Sequence, residues 1–342
     1  MAAAAVAPAR AGAANILVVA GGDAPELSVL ETLPPGAKVL AVGQSVAALD
    51  AAGLDWGSVD VLLSCGVGKN AATRDGIKEM WPKLTGLRWF HSASAGLEHL
   101  LFPELIEGPV VLTNAKGVYS HSLAEYALTC CSWFAKDFPR MLAAKAAHQW
   151  DPYDVEELRG KTMGVVGYGD IGQATAKLAR AFRMRVVALR RRADLSEAEK
   201  AEGDALYTPD KICDLMAASD YVVAATPHTP STDKIISRAA IAAMKPNGVL
   251  VNVGRGKCVD EEALIEALSA RRIRGAALDV FATEPLPAGS PLWSLPNVFM
   301  SPHCADRTKE FQFESLARFV DNVRRYAAGE PLLAVCDKRA GY

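Results

Sequence analysis

The chain has 342 residues, which at roughly 150 residues per domain sets a prior of about two domains. Half of the residues are hydrophobic and 22% are charged, an ordinary globular balance with apolar material for two cores. A formal charge of −2 leaves no global basic excess to hold nucleic acid or an anionic membrane. The seven cysteines contain no CxxC and no metal-ligand spacing, so they read as reduced thiols of a cytoplasmic protein and exclude a disulfide framework. No apolar run approaches the roughly 18–20 residues that a membrane span needs.

Residues 1–14 are mostly alanine, with Arg10 and no acid. They read either as a disordered tail or as the remnant of a peptide addressed to a plastid or mitochondrion. Short strand-like runs follow at 16–20, 38–42, 59–63, 87–90 and 110–112, with helix-like stretches between them, clearest at 70–80. Such alternation predicts βαβ units and a parallel sheet covered on both faces. Residues 120–137 form a long, nearly uncharged helical run, expected to be buried between domains or subunits. A second α/β series opens with a strand at 162–166, a helix at 171–182 and a strand at 185–189. Further strands are expected at 221–225, 249–253, 275–278 and 298–300, and an amphipathic helix at 308–328 closes the chain.

The first chemical motif lies at the junction of strand 162–166 and helix 171–182. Gly167, Tyr168, Gly169, Asp170, Ile171 and Gly172 spell G-x-G-x-x-G. The glycines serve a tight turn, the close approach of backbone to a pyrophosphate, and the packing of helix on strand. The helix N-terminus adds unsatisfied N–H groups and a positive dipole end, so the segment reads as a dinucleotide site. The following strand ends where such folds place an acid to read the adenosine ribose. Here Arg190, Arg191 and Arg192 stand instead, beginning eighteen residues beyond Gly172. Guanidiniums match phosphate oxygens, so the run points to NADP, with NADPH preferred over NADH; the alternative is a solvated basic loop.

Three more segments follow predicted strands and so converge on the same rim of a parallel sheet. They carry Arg255, then Asp279 with Glu284, then His303. An arginine there grips the carboxylate and carbonyl oxygens of a 2-oxoacid, and a histidine protonates the forming alkoxide. A glutamate orients that imidazole and favours its charged form.

With these residues in order, the chain resembles the D-isomer-specific 2-hydroxyacid dehydrogenases over nearly its whole length. The resemblance rests on the G-x-G-x-x-G, the N-x-x-R-G of Asn252 to Gly256, the D-V-x-x-x-E-P of Asp279 to Pro285 and the S-P-H of Ser301 to His303. It implies that Arg255 orients the substrate, that His303 is the general acid/base, and that Glu284 is its partner. Asp279 is then expected near the nicotinamide, with Thr226, Pro227 and Thr232 in the loop passing the cofactor ribose. Val253, Gly254 and Ala305 complete the expected cofactor contacts. Ser94, Ala95 and Gly96 look like the loop whose N–H groups receive the substrate carboxylate. The implied architecture is two doubly wound parallel-sheet domains, a Rossmann cofactor domain at 117–305 inserted in a flavodoxin-like substrate domain at 15–116 and 306–342.

The implied activity is NADPH-dependent reduction of small 2-oxoacids, glyoxylate or hydroxypyruvate, by a homodimer paired through helix 120–137. A short phosphoglycerate dehydrogenase, of the kind expected without the regulatory domain that many of those enzymes carry, is the nearest enzymatic alternative. A dinucleotide-sensing corepressor of the same fold is the alternative outside enzymes. One departure stands out: the family usually continues after the histidine with small residues and glycines, whereas Cys304, Ala305, Asp306 and Arg307 follow here. His91, His99, His121 and His148 read as packing or surface residues, and His228 as part of the cofactor loop. Trp150 and Tyr153 either wall the substrate cleft or pack locally.

Overall fold

The computed structural model describes residues 14–65, 72–191 and 205–342. The expected tail, Asn70 and Arg192 therefore lie largely or wholly outside the described residues. Contacts divide the chain into two units, one comprising residues up to Tyr119 and from Thr308 onward, the other running from Ser120 to Arg307.

In the first unit, β1 (Ala14–Val19), β2 (Ala37–Val42), β3 (Val61–Ser64), β4 (Trp89–Ser92) and β5 (Val111–Asn114) form a parallel sheet in the order β2-β1-β3-β4-β5. The central strands are apolar on both faces because both faces are covered. Leu17, Leu62 and Phe90 pack with Leu49, Ile77 and Leu105 on one side. Ile16, Val18, Leu63 and Trp89 pack with Leu316, Phe319, Val320 and Val323 on the other. Each such side chain contributes about 1.5–3 kcal/mol by leaving water.

The helix supplying that second cover, Phe311–Ala328, ends where Gly329 turns left-handed at φ 69°. It starts three residues later than its periodicity suggests. The helix expected at 70–80 starts at Arg74, where the Thr73 hydroxyl accepts the Gly76 N–H at 3.1 Å.

The second unit holds β6 (Thr162–Val166), β7 (Arg185–Leu189), β8 (Ala205–Tyr207), β9 (Tyr221–Ala224), β10 (Val249–Asn252), β11 (Gly275–Leu278) and β12 (Val298–Met300). They form a parallel sheet in the order β12-β11-β10-β9-β6-β7-β8. The chain leaves β6 in one direction toward β7 and returns on its other side to β9. The loops after β6 and β9 therefore part at the switch point, where open sheets of this kind take ligands. Among the described residues, no helix is long and apolar enough to cross a membrane.

Helix Ser120–Ala135 buries one face inside this unit. It packs along helix Asp170–Ala181 and on β10, burying Leu123, Ala124, Ala127, Leu128, Cys131 and Phe134. Its water-facing stripe is polar: His121, Glu125 and Thr129, spaced four apart. Uncovered apolar surface lies on the next helix, Phe138–Ala146, where Met141 and Leu142 are exposed, and in the loop beyond it, where Trp150 is 96% exposed.

Candidate active site

The glycine motif occupies the turn from β6 into helix Asp170–Ala181. Gly167 has φ +100°, and a Cβ there would lie 2.8 Å from Thr226 Cγ2 and 2.9 Å from the Ala225 carbonyl carbon. Glycine is therefore the residue that lets the β6 and β9 loops touch. A Cβ on Gly172 would run into the Gly167 carbonyl oxygen, so the helix sits as close to the strand as backbone allows. At Gly169 a Cβ would meet nothing within 4 Å. That open backbone at a helix N-terminus is a place for an anion. Tyr168 is buried, with its hydroxyl 3.5 Å from the Arg180 guanidinium, while Asp170 and Ile171 form the first helical turn.

The Leu189 carbonyl at the end of β7 accepts the N–H groups of Gly167 at 3.1 Å and Tyr168 at 3.2 Å. Arg190, the next residue, thus stands beside the glycine loop, half-buried, its own N–H bonded to the Tyr207 carbonyl at 3.0 Å. Arg191 is exposed, and Arg192 is outside the described residues. Past β9, the Thr232 hydroxyl donates to the Pro227 carbonyl at 2.6 Å and accepts the Thr229 N–H at 2.8 Å, bracing that loop on itself. The His228 Nε2 lies 2.9 Å from Asp233. The Thr226 hydroxyl is buried without a hydrogen-bond partner among the described residues. An orphaned buried hydroxyl beside an open glycine backbone fits a dinucleotide that supplies the missing partner.

Arg255 is set by a turn just past β10. The Asn252 side chain, 1% exposed, accepts the Gly254 N–H at 3.0 Å and donates to the Arg255 carbonyl at 3.1 Å. Val253 is fixed by its N–H on the Ala224 carbonyl at 3.0 Å, and the Arg255 guanidinium donates to the Gly254 carbonyl at 2.9 Å.

His303 follows β12 with φ 50°, a left-handed backbone that costs a non-glycine residue of order 1–3 kcal/mol. Surrounding hydrogen bonds hold it there. Its N–H donates to the Asp279 carbonyl at 2.8 Å. The Asp279 carboxylate, 1% exposed, receives the Ser301 hydroxyl at 2.6 Å and the N–H groups of Cys304 at 2.9 Å and Ala305 at 3.2 Å. The imidazole Nδ1 is 2.7 Å from Glu284 Oε2, and Glu284 Oε1 accepts the Phe281 N–H at 2.9 Å. A carboxylate only accepts, so Nδ1 carries the proton and Nε2 is the ring's outer nitrogen. Burial raises the Asp306 carboxyl above its ordinary pKa, against the pull of His303 and Arg255. Burial and Asp279 likewise raise the neighbouring Cys304 thiol, which makes it a poor nucleophile.

A family model described as D-isomer specific 2-hydroxyacid dehydrogenase, NAD binding domain, matches residues 129–305. The chain belongs to this family. It is 35% identical over 260 residues to a D-3-phosphoglycerate dehydrogenase of Methanocaldococcus jannaschii, a match covering 75% of the chain and 48% of that protein. The chain thus spans about half the length of such relatives. It is 34% identical over 253 residues to glyoxylate/hydroxypyruvate reductase B of Pectobacterium carotovorum, covering 71% of the chain and 77% of that protein. The solved NADPH-dependent glyoxylate/hydroxypyruvate reductase of Sinorhizobium meliloti, in complex with NADP and sulfate, superposes with a TM-score of 0.79 at 26% identity. That alignment covers 96% of this chain and 100% of the other.

In this family member the unit from Ser120 to Arg307 brings together the glycine loop, Arg190, Thr226, Arg255, Glu284 and His303 at the carboxyl ends of parallel strands. Ser94, Ala95 and Gly96 lie in the other unit, past β4, where the Asn114 side chain donates to the Ala95 carbonyl at 2.6 Å. The Asp279 carboxylate braces the His303 loop, and the Ala305 carbonyl is held by Ser122 of helix Ser120–Ala135, partners that sequence reasoning did not find. The Tyr153 hydroxyl lies 2.8 Å from the Lys136 carbonyl and 3.0 Å from the Asp137 carbonyl, while Arg140 stacks on its ring at 4.3 Å. His91 is a core histidine, fully buried, with Nδ1 2.7 Å from the Thr113 hydroxyl and its pKa pushed down to about 3 by burial.

Proposed function

We propose that the protein reduces small 2-oxoacids, glyoxylate or hydroxypyruvate, to D-2-hydroxyacids with NADPH. The His303–Glu284 pair, on the same carboxyl-end rim of the parallel sheet as Arg255 and the glycine loop, is the observation behind this reading. The Gly167–Gly172 turn and Thr226 would hold the dinucleotide, and a bound reduced nicotinamide supplies the hydride that reaches the substrate C2. Arg255 pairs with the substrate carboxylate and polarises its carbonyl. His303 donates a proton from Nε2 to the carbonyl oxygen as negative charge develops there, and Glu284 stabilises the imidazolium before the transfer. Ser94, Ala95 and Gly96 are assigned to the substrate carboxylate.

NADPH is preferred in this reading because Arg190 takes the place of a ribose-binding acid, and the Sinorhizobium relative binds NADP. The Methanocaldococcus relative supports a second reading, oxidation of D-3-phosphoglycerate. Steady-state turnover of glyoxylate, hydroxypyruvate and D-3-phosphoglycerate with both coenzymes separates the two. The expected result is turnover of the first two with NADPH. Turnover confined to D-3-phosphoglycerate selects the second reading, and coenzyme binding with no turnover at all selects a dinucleotide-sensing protein.

The active form proposed is a homodimer paired around helix Ser120–Ala135, its contact extended by the exposed Met141, Leu142 and Trp150 that follow it. Exposed apolar side chains of this size in one segment of the chain suit such a cover. Light scattering at micromolar concentration is expected to give about twice the 36.3 kDa chain mass, falling to one chain in Leu142→Glu. A wild-type mass of one chain overturns the dimer.

A further inference from the structure

The loop bearing His303 is gripped from outside at two points by one helix. On helix Ser120–Ala135, Ser122 and Tyr126 are four residues apart and so share a face. The Ser122 hydroxyl donates to the Ala305 carbonyl at 2.7 Å, two residues after His303. The Tyr126 hydroxyl lies 2.5 Å from the Ser301 hydroxyl, two residues before it. Ser301 has one proton and gives it to Asp279 at 2.6 Å, so Tyr126 is the donor to Ser301. The relay Tyr126–Ser301–Asp279 then ends on the N–H groups of Cys304 and Ala305.

We infer that Tyr126 and Ser122 are positioning residues that hold His303 in its left-handed backbone and keep its ring aimed for proton transfer. The inference rests on the proposed reduction for its catalytic meaning, while the grip itself is a property of the loop. Three features carry it. The restraints fall symmetrically about His303, at residues 301 and 305. They support a conformation that a non-glycine residue adopts uncommonly, since φ is 50°. Neither hydroxyl is needed to fill the helix–sheet contact, which Leu123, Ala127, Leu128 and Phe134 already make. Burial raises the Tyr126 hydroxyl well above its ordinary pKa, so it remains a donor throughout the working pH range. A histidine misplaced by about 1 Å loses on the order of 100-fold in proton-transfer efficiency, so partial loosening has a measurable effect.

Tyr126→Phe and Ser122→Ala each remove one hydroxyl and little volume. In each, kcat for the 2-oxoacid is expected to fall about tenfold with both KM values within about twofold, because the defect lies in the transition state alone. Amide hydrogen exchange over residues 301–305 is expected to quicken at least about tenfold while β6 and β10 stay protected. Ser122→Thr, which keeps the hydroxyl, restores both. Tyr221→Phe is the control: that hydroxyl is buried without a partner among the described residues, so neither readout moves. Unchanged exchange over 301–305 overturns the grip, and quickened exchange with unchanged kcat overturns its role in positioning His303. Exchange requires no substrate, so it decides the grip even where the wild-type protein turns over no 2-oxoacid and the functional reading itself fails.

Discussion

His303→Ala is expected to lower kcat by about 100- to 10,000-fold, the range general acid catalysis contributes, while NADPH still binds. The geometry separates the two effects. The imidazole is bonded through Nδ1 to Glu284 at 2.7 Å, which leaves Nε2 as the outer donor. Its side chain is 46% exposed, so truncation to alanine opens no cavity in a packed core. The groups assigned to the dinucleotide lie on other elements: the turn after β6, Thr226 after β9 and Arg190 after β7. Alanine also keeps the N–H that reaches the Asp279 carbonyl, so the loop retains its anchor. Fluorescence titration with NADPH checks the binding half, and single-turnover rates check the chemical half. Loss of coenzyme binding together with turnover makes the histidine a structural residue and removes its assigned role.

How much of this was legible in the sequence follows from what each feature demands locally. Parallel strands buried on both faces must be continuous apolar runs, so the interior strands of both sheets show through, with ends displaced by a residue or two. The exception is β8, only Ala205–Tyr207 at the sheet edge, whereas the equally uncovered edge strands β2 and β12 show through because their residues are mostly large and apolar. The glycine turn is legible because Gly167 and Gly172 answer steric demands that no other residue meets. Arg255, Glu284 and His303 are legible because strand ends place them on one rim. Asp279 shows the limit. Its position after β11 is readable, but the direction of its carboxylate depends on a loop 22 to 26 residues away. Tyr126 and Ser122 give no signal at all, being ordinary polar residues in a helical run whose partners lie 175 and 183 residues further along. The apolarity of that same helix shows that a face must be covered without showing which neighbour covers it.

Arg190→Asp is expected to reverse coenzyme preference. Arg190 stands one residue past β7, beside the Gly167 turn that shares the Leu189 carbonyl, where folds of this class read the adenosine ribose. A guanidinium there meets the 2′-phosphate of NADPH with charge-assisted hydrogen bonds worth about 1.5–3 kcal/mol, or roughly 10- to 150-fold in affinity. NADH lacks that phosphate and gains nothing from the contact. Wild-type kcat/KM for NADPH is therefore expected to exceed that for NADH by at least about tenfold at low salt. The margin narrows as salt rises, since Arg190 is only half-buried and the Debye length falls to about 10 Å at 0.1 M. Aspartate at this position removes the donors and sets like charge against the phosphate, while its carboxylate accepts hydrogen bonds from a free 2′-hydroxyl. Both changes act in the same direction, so the ratio inverts and does not merely shrink. Initial rates with each coenzyme at two salt concentrations, for wild type and variant, check the order. A wild-type protein that prefers NADH, or an Asp variant that still prefers NADPH, identifies the arginine run as a solvated loop and moves coenzyme selection elsewhere on the rim.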